Sequence, residues 1–250
     1  LQTALAGRSV GNAFGLTSDT FVSYVGTKPR DLELQLQLLA AYLVDPGLRN
    51  DPVVRFRAGL DDVFARRYAT PSAAYGTGIG RILSDGDPRF TAPEKEALMA
   101  LDFEQLEAAI GDRLENGAIE IGVVGDFDAP AVIDAVAATF GALPQREAEF
   151  RKDFGNRERS FTATRGPGAI EHEGEADQAQ LRFIWPTADD SDFKRDMRLS
   201  LLARVVDIVL TDTLREELGQ AYSPFAGSST SRIYPDHGTF LAGASLELAQ

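Results

Sequence analysis

From Asp31 the chain places leucines at 32, 36, 39 and 43, with Leu38 and Tyr42 beside them. That three-to-four spacing is one apolar helix face. Pro29 precedes it and Pro46-Gly47 ends it. A second helix is predicted over Asp51–Tyr68, with Val54, Leu60, Val63 and Phe64 on its buried side. Thr91 reads as an N-cap with Pro93 and Glu94 in the following turn, and Asp102 caps a helix carrying Phe103, Leu106, Ile110 and Leu114. A helix over Pro130–Phe140 is stopped by Gly141. The longest periodic segment, Asp190–Leu218, assigns Leu199, Leu202, Val205, Val206, Val209 and Leu210 to the core.

Strand patterns lie between these helices. Thr20–Gly26 alternates and is rich in β-branched and aromatic residues, as are Ala118–Gly125 and Ala179–Trp185. Ala221–Ser231 and Thr239–Leu248 read as two hairpin-paired strands, which favours α+β over a parallel doubly wound sheet. Pro144–Glu175 breaks the pattern: it is rich in Arg, Glu and Gly, contains Gly166-Pro167-Gly168, and has the composition of a linker.

The chain has 250 residues, enough for one large or two ordinary domains. Its 25 basic and 38 acidic side chains give a net charge of −13, which argues against wrapping nucleic acid or lying on an anionic membrane. The absence of cysteine excludes disulfides, thiolate catalysis and Cys-ligated zinc. The apolar run Leu36–Val44 is too short to cross a bilayer. The chain begins at Leu1 in a helix-like phase and stops at Gln250 inside a strand pattern, so it reads as a fragment or processed piece.

Most motif-like features have structural explanations. Gly76-x-Gly78-x-Gly80 follows a Thr-Pro-Ser turn instead of a strand, so it reads as a loop entering a helix and not as a phosphate loop. Asp128, after Gly125-Asp126-Phe127, is a natural N-cap. His172 sits among glutamates, but zinc needs three or four preformed ligands and the other histidine, His237, lies in a turn sequence. Neither histidine has a Ser or Cys motif to serve as base. The charged run Asp189–Arg198 is a solvated helix start.

The segment Leu214-Arg215-Glu216-Glu217-Leu218-Gly219-Gln220-Ala221-Tyr222-Ser223 is different. It sets a guanidinium at a helix end and a phenol at the next strand start. Both are suitable donors to a peptide carbonyl or an oxyanion. Physical reasoning alone leaves open a surface role for Arg215 and a packing role for Tyr222.

This decapeptide resembles the Leu-Arg-Glu-x-Leu-Gly-x-Ala-Tyr-Ser signature in the second half of insulinase/pitrilysin-type zinc metallopeptidases, the M16 family. Gly117–Pro144, with Val124-Gly125-Asp126 and Phe140-Gly141-x-Leu143-Pro144, is similar to the strand and helix that close a family domain, and Ala179–Gln250 to the opening of the next. Leu5–Pro46 resembles the segment after the metal-binding helix.

The resemblance implies LuxS/MPP-like metallohydrolase domains of α+β type, antiparallel-rich sheets flanked by helices. Residues 1–148 would be the latter part of a non-zinc domain, 149–176 a linker, and 177–250 the first part of the final domain. The family's zinc motif His-x-x-Glu-His is absent, and no Glu lies between Glu33 and Glu94, around the helix containing Arg55 and Asp62, where a third ligand would be sought. The fragment is therefore expected to bind no metal and to be inactive alone, with zinc carried by an N-terminal half of the same protein or by a partner subunit.

By the same resemblance Arg215 and Tyr222 stabilise the peptide-hydrolysis intermediate. Glu217 stands where the family usually has Lys. The acidic balance would suit a chamber wall that attracts basic peptides, and a bacterial periplasmic or envelope location is implied. The alternative within the family is a catalytically inactive structural or partner-binding subunit.

Overall fold

The computed structural model describes residues 5–47, 50–151, 155–217 and 221–247, and no side chain is described at 50, 215–217, 221 or 222. The chain divides into two compact units that interleave along the sequence: 1–54 with 101–152, and 55–100 with 153–250.

In the first unit, β1 (Phe14–Leu16) and β2 (Phe21–Ser23) form an antiparallel hairpin in which Phe14 stacks on Phe21 at 5.5 Å. The predicted Thr20–Gly26 strand is thus real but short. Helix α1 (Leu32–Val44) packs against α5 (Phe103–Asn116) and α6 (Ala129–Thr139), with Leu36, Ala40 and Val132 buried. The N-terminal segment is tied to α1 by polar bonds. Gln35 is buried, accepts from the Gly11 N–H and donates to the Gly11 carbonyl, both at 2.8 Å. Buried Asp31 accepts from the Ser9 N–H and from Arg8, each at 3.0 Å. The Ser9 N–H, followed by the Arg8 and Arg30 guanidinium groups, holds its carboxyl below the usual range against the cost of burial.

Asp102 and Asp128 cap α5 and α6 as their sequence context predicts. Asp102 forms a capping box with Gln105, and Asp128 accepts from the Ala131 N–H at 3.0 Å. Residues 118–125, predicted as a strand, form none. A strand exists only through a pairing partner, and no described residue supplies one here.

The second unit is built on an antiparallel sheet of order β3-β5-β4, from β3 (Gln178–Thr187), β4 (Ala221–Thr230) and β5 (Gly238–Glu247). Helix α7 (Phe193–Leu210) lies on one face, with the Asp196 carboxylate accepting from the Thr230 hydroxyl at 2.7 Å and Asp207 from the Ala226 N–H at 3.0 Å. Helix α3 (Pro71–Leu83) and residues 161–172 lie on the other. The architecture is α+β.

The predicted α7 core needs correction. Leu202, Val205 and Val209 are about half exposed, at 49%, 50% and 55%, and the buried residue is Ala203. The small side chain lets the helix approach the sheet closely while Asp196 and Asp207 bond to β4. Leu199, Val206 and Leu210 lie with Ala203 on the partly buried side, so the apolar periodicity finds the inward face but assigns too wide a stripe to it. Helix α7 continues as a π-helical stretch, Thr211–Glu217.

The Gly76-x-Gly78-x-Gly80 segment also needs correction, because it lies inside α3 and not in a loop. Each helical glycine costs about 1 kcal/mol relative to alanine, and close packing gives a reason for two of them. A Cβ at Gly80 would lie 1.9 Å from the Phe90 carbonyl oxygen, and one at Gly78 3.0 Å from Ile170. Thr70 caps α3 by accepting from the Ala73 N–H at 3.2 Å. Thr70→Ala is expected to cost about 1 kcal/mol, read as a lower urea midpoint with unchanged slope. Thr91 is not a cap: its hydroxyl donates to the Asp87 carbonyl, and α4 starts at Lys95 (Lys95–Ala100). α2 spans Asn50–Arg66, and Leu60 is its buried residue.

The segment with linker composition makes ordered contacts. The Thr162 N–H donates to the Leu83 carbonyl at 2.8 Å and the Glu173 N–H to the Tyr68 carbonyl at 2.6 Å. Arg159 covers the Phe90 ring at 3.7 Å.

Candidate functional site

The described backbone at Arg215 and next to Tyr222 is irregular. Arg215 belongs to the π-helical stretch that follows α7, and such stretches interrupt the regular hydrogen-bond ladder. Tyr222 is the second residue of β4 and pairs with Ser245 of β5. The register then slips between Tyr222 and Phe225, so the strand bulges directly after the tyrosine. Ser223 inside the bulge has φ 53°, and Pro224 follows it. A serine held at positive φ costs on the order of 1 kcal/mol. Bulges of this kind re-aim neighbouring side chains. The backbone from α7 to β4 therefore holds two departures from regular geometry around the two positions. The expectation that the two side chains face one pocket concerns atoms outside the described residues, as do Leu218, Gly219 and Gln220.

The two histidines differ: both ring nitrogens of His172 are hydrogen-bonded, whereas Nδ1 of His237 is buried without a hydrogen-bond partner. His172 Nε2 meets the Gln178 carbonyl at 2.9 Å while its Nδ1 accepts from the Gly174 N–H at 3.2 Å, which fixes the proton on Nε2. His237 is buried just before β5, and its ring stacks on Phe161 at 4.1 Å with a 13° tilt. Burial, aided by the Arg159 charge, pushes His237 down to about 4. Asp189 accepts from the Ser191 hydroxyl and from the Ser191 and Asp236 N–H groups. These bonds hold it down at about 2 and tie the start of α7 to the β4–β5 connection. Among the described residues no group of three His, Asp or Glu side chains is placed to hold a metal ion, so these residues do not fit a zinc site.

Sequence reasoning missed a cavity of about 440 Å³ between α3 and β3, lined by Tyr75, Ile79, Ile184, Gln180 and Arg182 among others. Its one sequence signal was an arginine in an otherwise apolar stretch of β3.

A mixed fold with an antiparallel sheet flanked by helices, together with the Arg-Tyr segment at a helix-to-strand junction, defines the class in question. The model of the family described as Peptidase M16 inactive domain matches residues 100–247, more than half of the chain. The chain belongs to that family.

Solved structures agree on the fold. A protease from Helicobacter pylori is similar at a TM-score of 0.75 and 14% identity, over 99% of this chain and 60% of that one. The ferredoxin protease FusC, solved as a mutant in complex with Arabidopsis ferredoxin, is similar at a TM-score of 0.66 and 13% identity, over 98% and 26%. The periplasmic protease PqqL from Escherichia coli is similar at a TM-score of 0.59 and 13% identity, over 91% and 25%. The chain thus spans 25% to 60% of the length of these structures. No curated protein matches the sequence. No described helix is long and apolar enough to cross a membrane.

Proposed function

We propose that this chain is a C-terminal, non-zinc-binding portion of an M16-type zinc metalloendopeptidase, contributing substrate-chamber wall and the Arg215/Tyr222 pair. The observation that carries the reading is the family match over 100–247, which contains the whole Arg-Tyr segment. The bulge and the positive φ at Ser223 support it, because strain beside Tyr222 is the kind a fold retains for a functional group.

Arg215 and Tyr222 donate hydrogen bonds to the carbonyl oxygen of the peptide bond under attack, where negative charge grows as water adds to the carbon. The zinc of the complete enzyme is assigned to polypeptide outside this chain, an N-terminal half or a partner subunit. The repeat organisation is proposed as 1–148, a connecting stretch 149–176, and 177–250, two partial homologous domains. A periplasmic or envelope location follows the PqqL likeness, and basic peptides suit the −13 net charge.

The test compares the complete protein with this chain. The complete protein should hydrolyse a basic peptide and lose that activity to 1,10-phenanthroline, and the 250-residue chain alone should be inert. A complete protein that binds peptides or partner proteins but cleaves none would replace this reading with the inactive structural subunit.

A further inference from the structure

The cavity between α3 and β3 contains polar groups that the fold leaves without partners. Arg182 and Gln180 project from the same face of β3, two residues apart, and both line it. Arg182 makes no ion pair or hydrogen bond with any described residue; its guanidinium lies 3.9 Å from the centre of the Phe225 ring and 4.9 Å from that of Tyr75. Gly243 of β5, between Arg182 and Phe225 in the register, makes this stack possible. A Cβ at Gly243 would meet the Phe225 ring at 3.0 Å and the Leu181 carbonyl oxygen at 2.2 Å.

Stacking uses the faces of a guanidinium and leaves its in-plane N–H groups for an anion. Arg182 Nε and Gln180 Oε1 are both buried without a hydrogen-bond partner. Desolvation draws the Arg182 guanidinium below its ordinary range and raises Tyr75, and no carboxylate is among the described residues that line the cavity. The remaining lining is largely apolar, including Ile79, Ile82, Ile184 and Phe161.

We propose that this cavity binds the free C-terminal end of an apolar peptide, with the terminal carboxylate on Arg182 and a backbone N–H on Gln180 Oε1. Residues 180 and 182 stand about 7 Å apart along an extended strand, the span that two residues of an extended ligand also cover. Such a ligand brings an acceptor-only anion to the unpaired guanidinium and an amide donor to the unpaired carbonyl, and its side chains meet the apolar walls. The site is independent of Arg215 and Tyr222, so it stands or falls apart from the catalytic reading.

Titration calorimetry on this chain with N-acetyl-trileucine, its C-terminal amide and decanoate tests it. The free acid should bind, and both the amide and decanoate should bind about tenfold or more weakly. Arg182→Gln should bring the acid down to the level of the amide. Equal binding of acid and amide, decanoate as tight as the peptide, full affinity in Arg182→Gln, or no binding at millimolar peptide would each overturn the proposal. Should Arg182→Gln not fold, Ile79→Trp fills the cavity with the arginine in place. It should abolish acid binding, and retained binding would count against the site.

Discussion

Arg215→Ala and Tyr222→Phe in the complete protein should each lower peptide turnover by about 10²-fold or more, with KM changed far less. That is the usual consequence of deleting one oxyanion donor, because the lost hydrogen bond is stronger in the transition state than in the ground state. Tyr222→Phe is the sharper probe, since it removes one oxygen and keeps the aromatic ring. The double variant should fall by less than the product of the two single losses if both groups serve the same oxygen. Glu217→Lys, which restores the residue usual in the family, should leave turnover within about threefold, because a charge outside the reacting centre acts weakly. Wild-type kinetics in both single variants would remove the pair from catalysis and leave the family membership untouched.

Lowering the pH from 7 to 4.5 should destabilise the chain through His237, by on the order of 2 kcal/mol. His237 is 7% exposed, and its ring stacks on Phe161 and lies near the Arg159 charge and the Tyr234 ring. Its folded-state value of about 4 lies below the ordinary 6.5. Above pH 6.5 the imidazole is neutral in both states and costs nothing. Between 6.5 and 4 the unfolded chain takes up a proton that the folded chain refuses, so stability falls as pH falls through that window. The lowered carboxylates Asp31, Asp87, Asp112, Glu147 and Asp189 lose most of their contributions at more acidic pH, with the loss from Glu147 beginning near 4.5. His237→Phe keeps the stack without the titrating nitrogen. Urea midpoints at pH 7 and 4.5 should converge in that variant and diverge in the wild type. The same pH slope in both proteins would show that His237 is not the cause.

Much of the fold was legible in the sequence for local reasons. The leucine stripe of α1, the caps Asp102 and Asp128, and the β4–β5 pair are each determined by residues close in the chain. The elements that were misread depend on distant partners. The glycines of α3 resemble a loop until Phe90 and Ile170 come against them. The strand pattern at 118–125 has no partner strand among the described residues. The width of α7's inward side was decided by a small alanine and two aspartates bonded to β4: Leu199, Val206 and Leu210 lie on it, whereas Leu202, Val205 and Val209 stay about half exposed.

The candidate site divides in the same way. The Arg-Tyr segment was readable because its spacing and residue types are contiguous, whereas the bulge and the positive φ of Ser223 appear only once β4 is paired with β5. The α3–β3 cavity is assembled from residues more than 90 positions apart, among them Tyr75 and Arg182. Sequence alone determined the helix and strand makers, the caps and the chemistry carried by neighbouring residues, because those follow from short-range sterics and hydrogen bonding. Only the tertiary structure decided which apolar face is buried and which charge is left unpaired, because burial and desolvation are set by segments that meet in space and not along the chain.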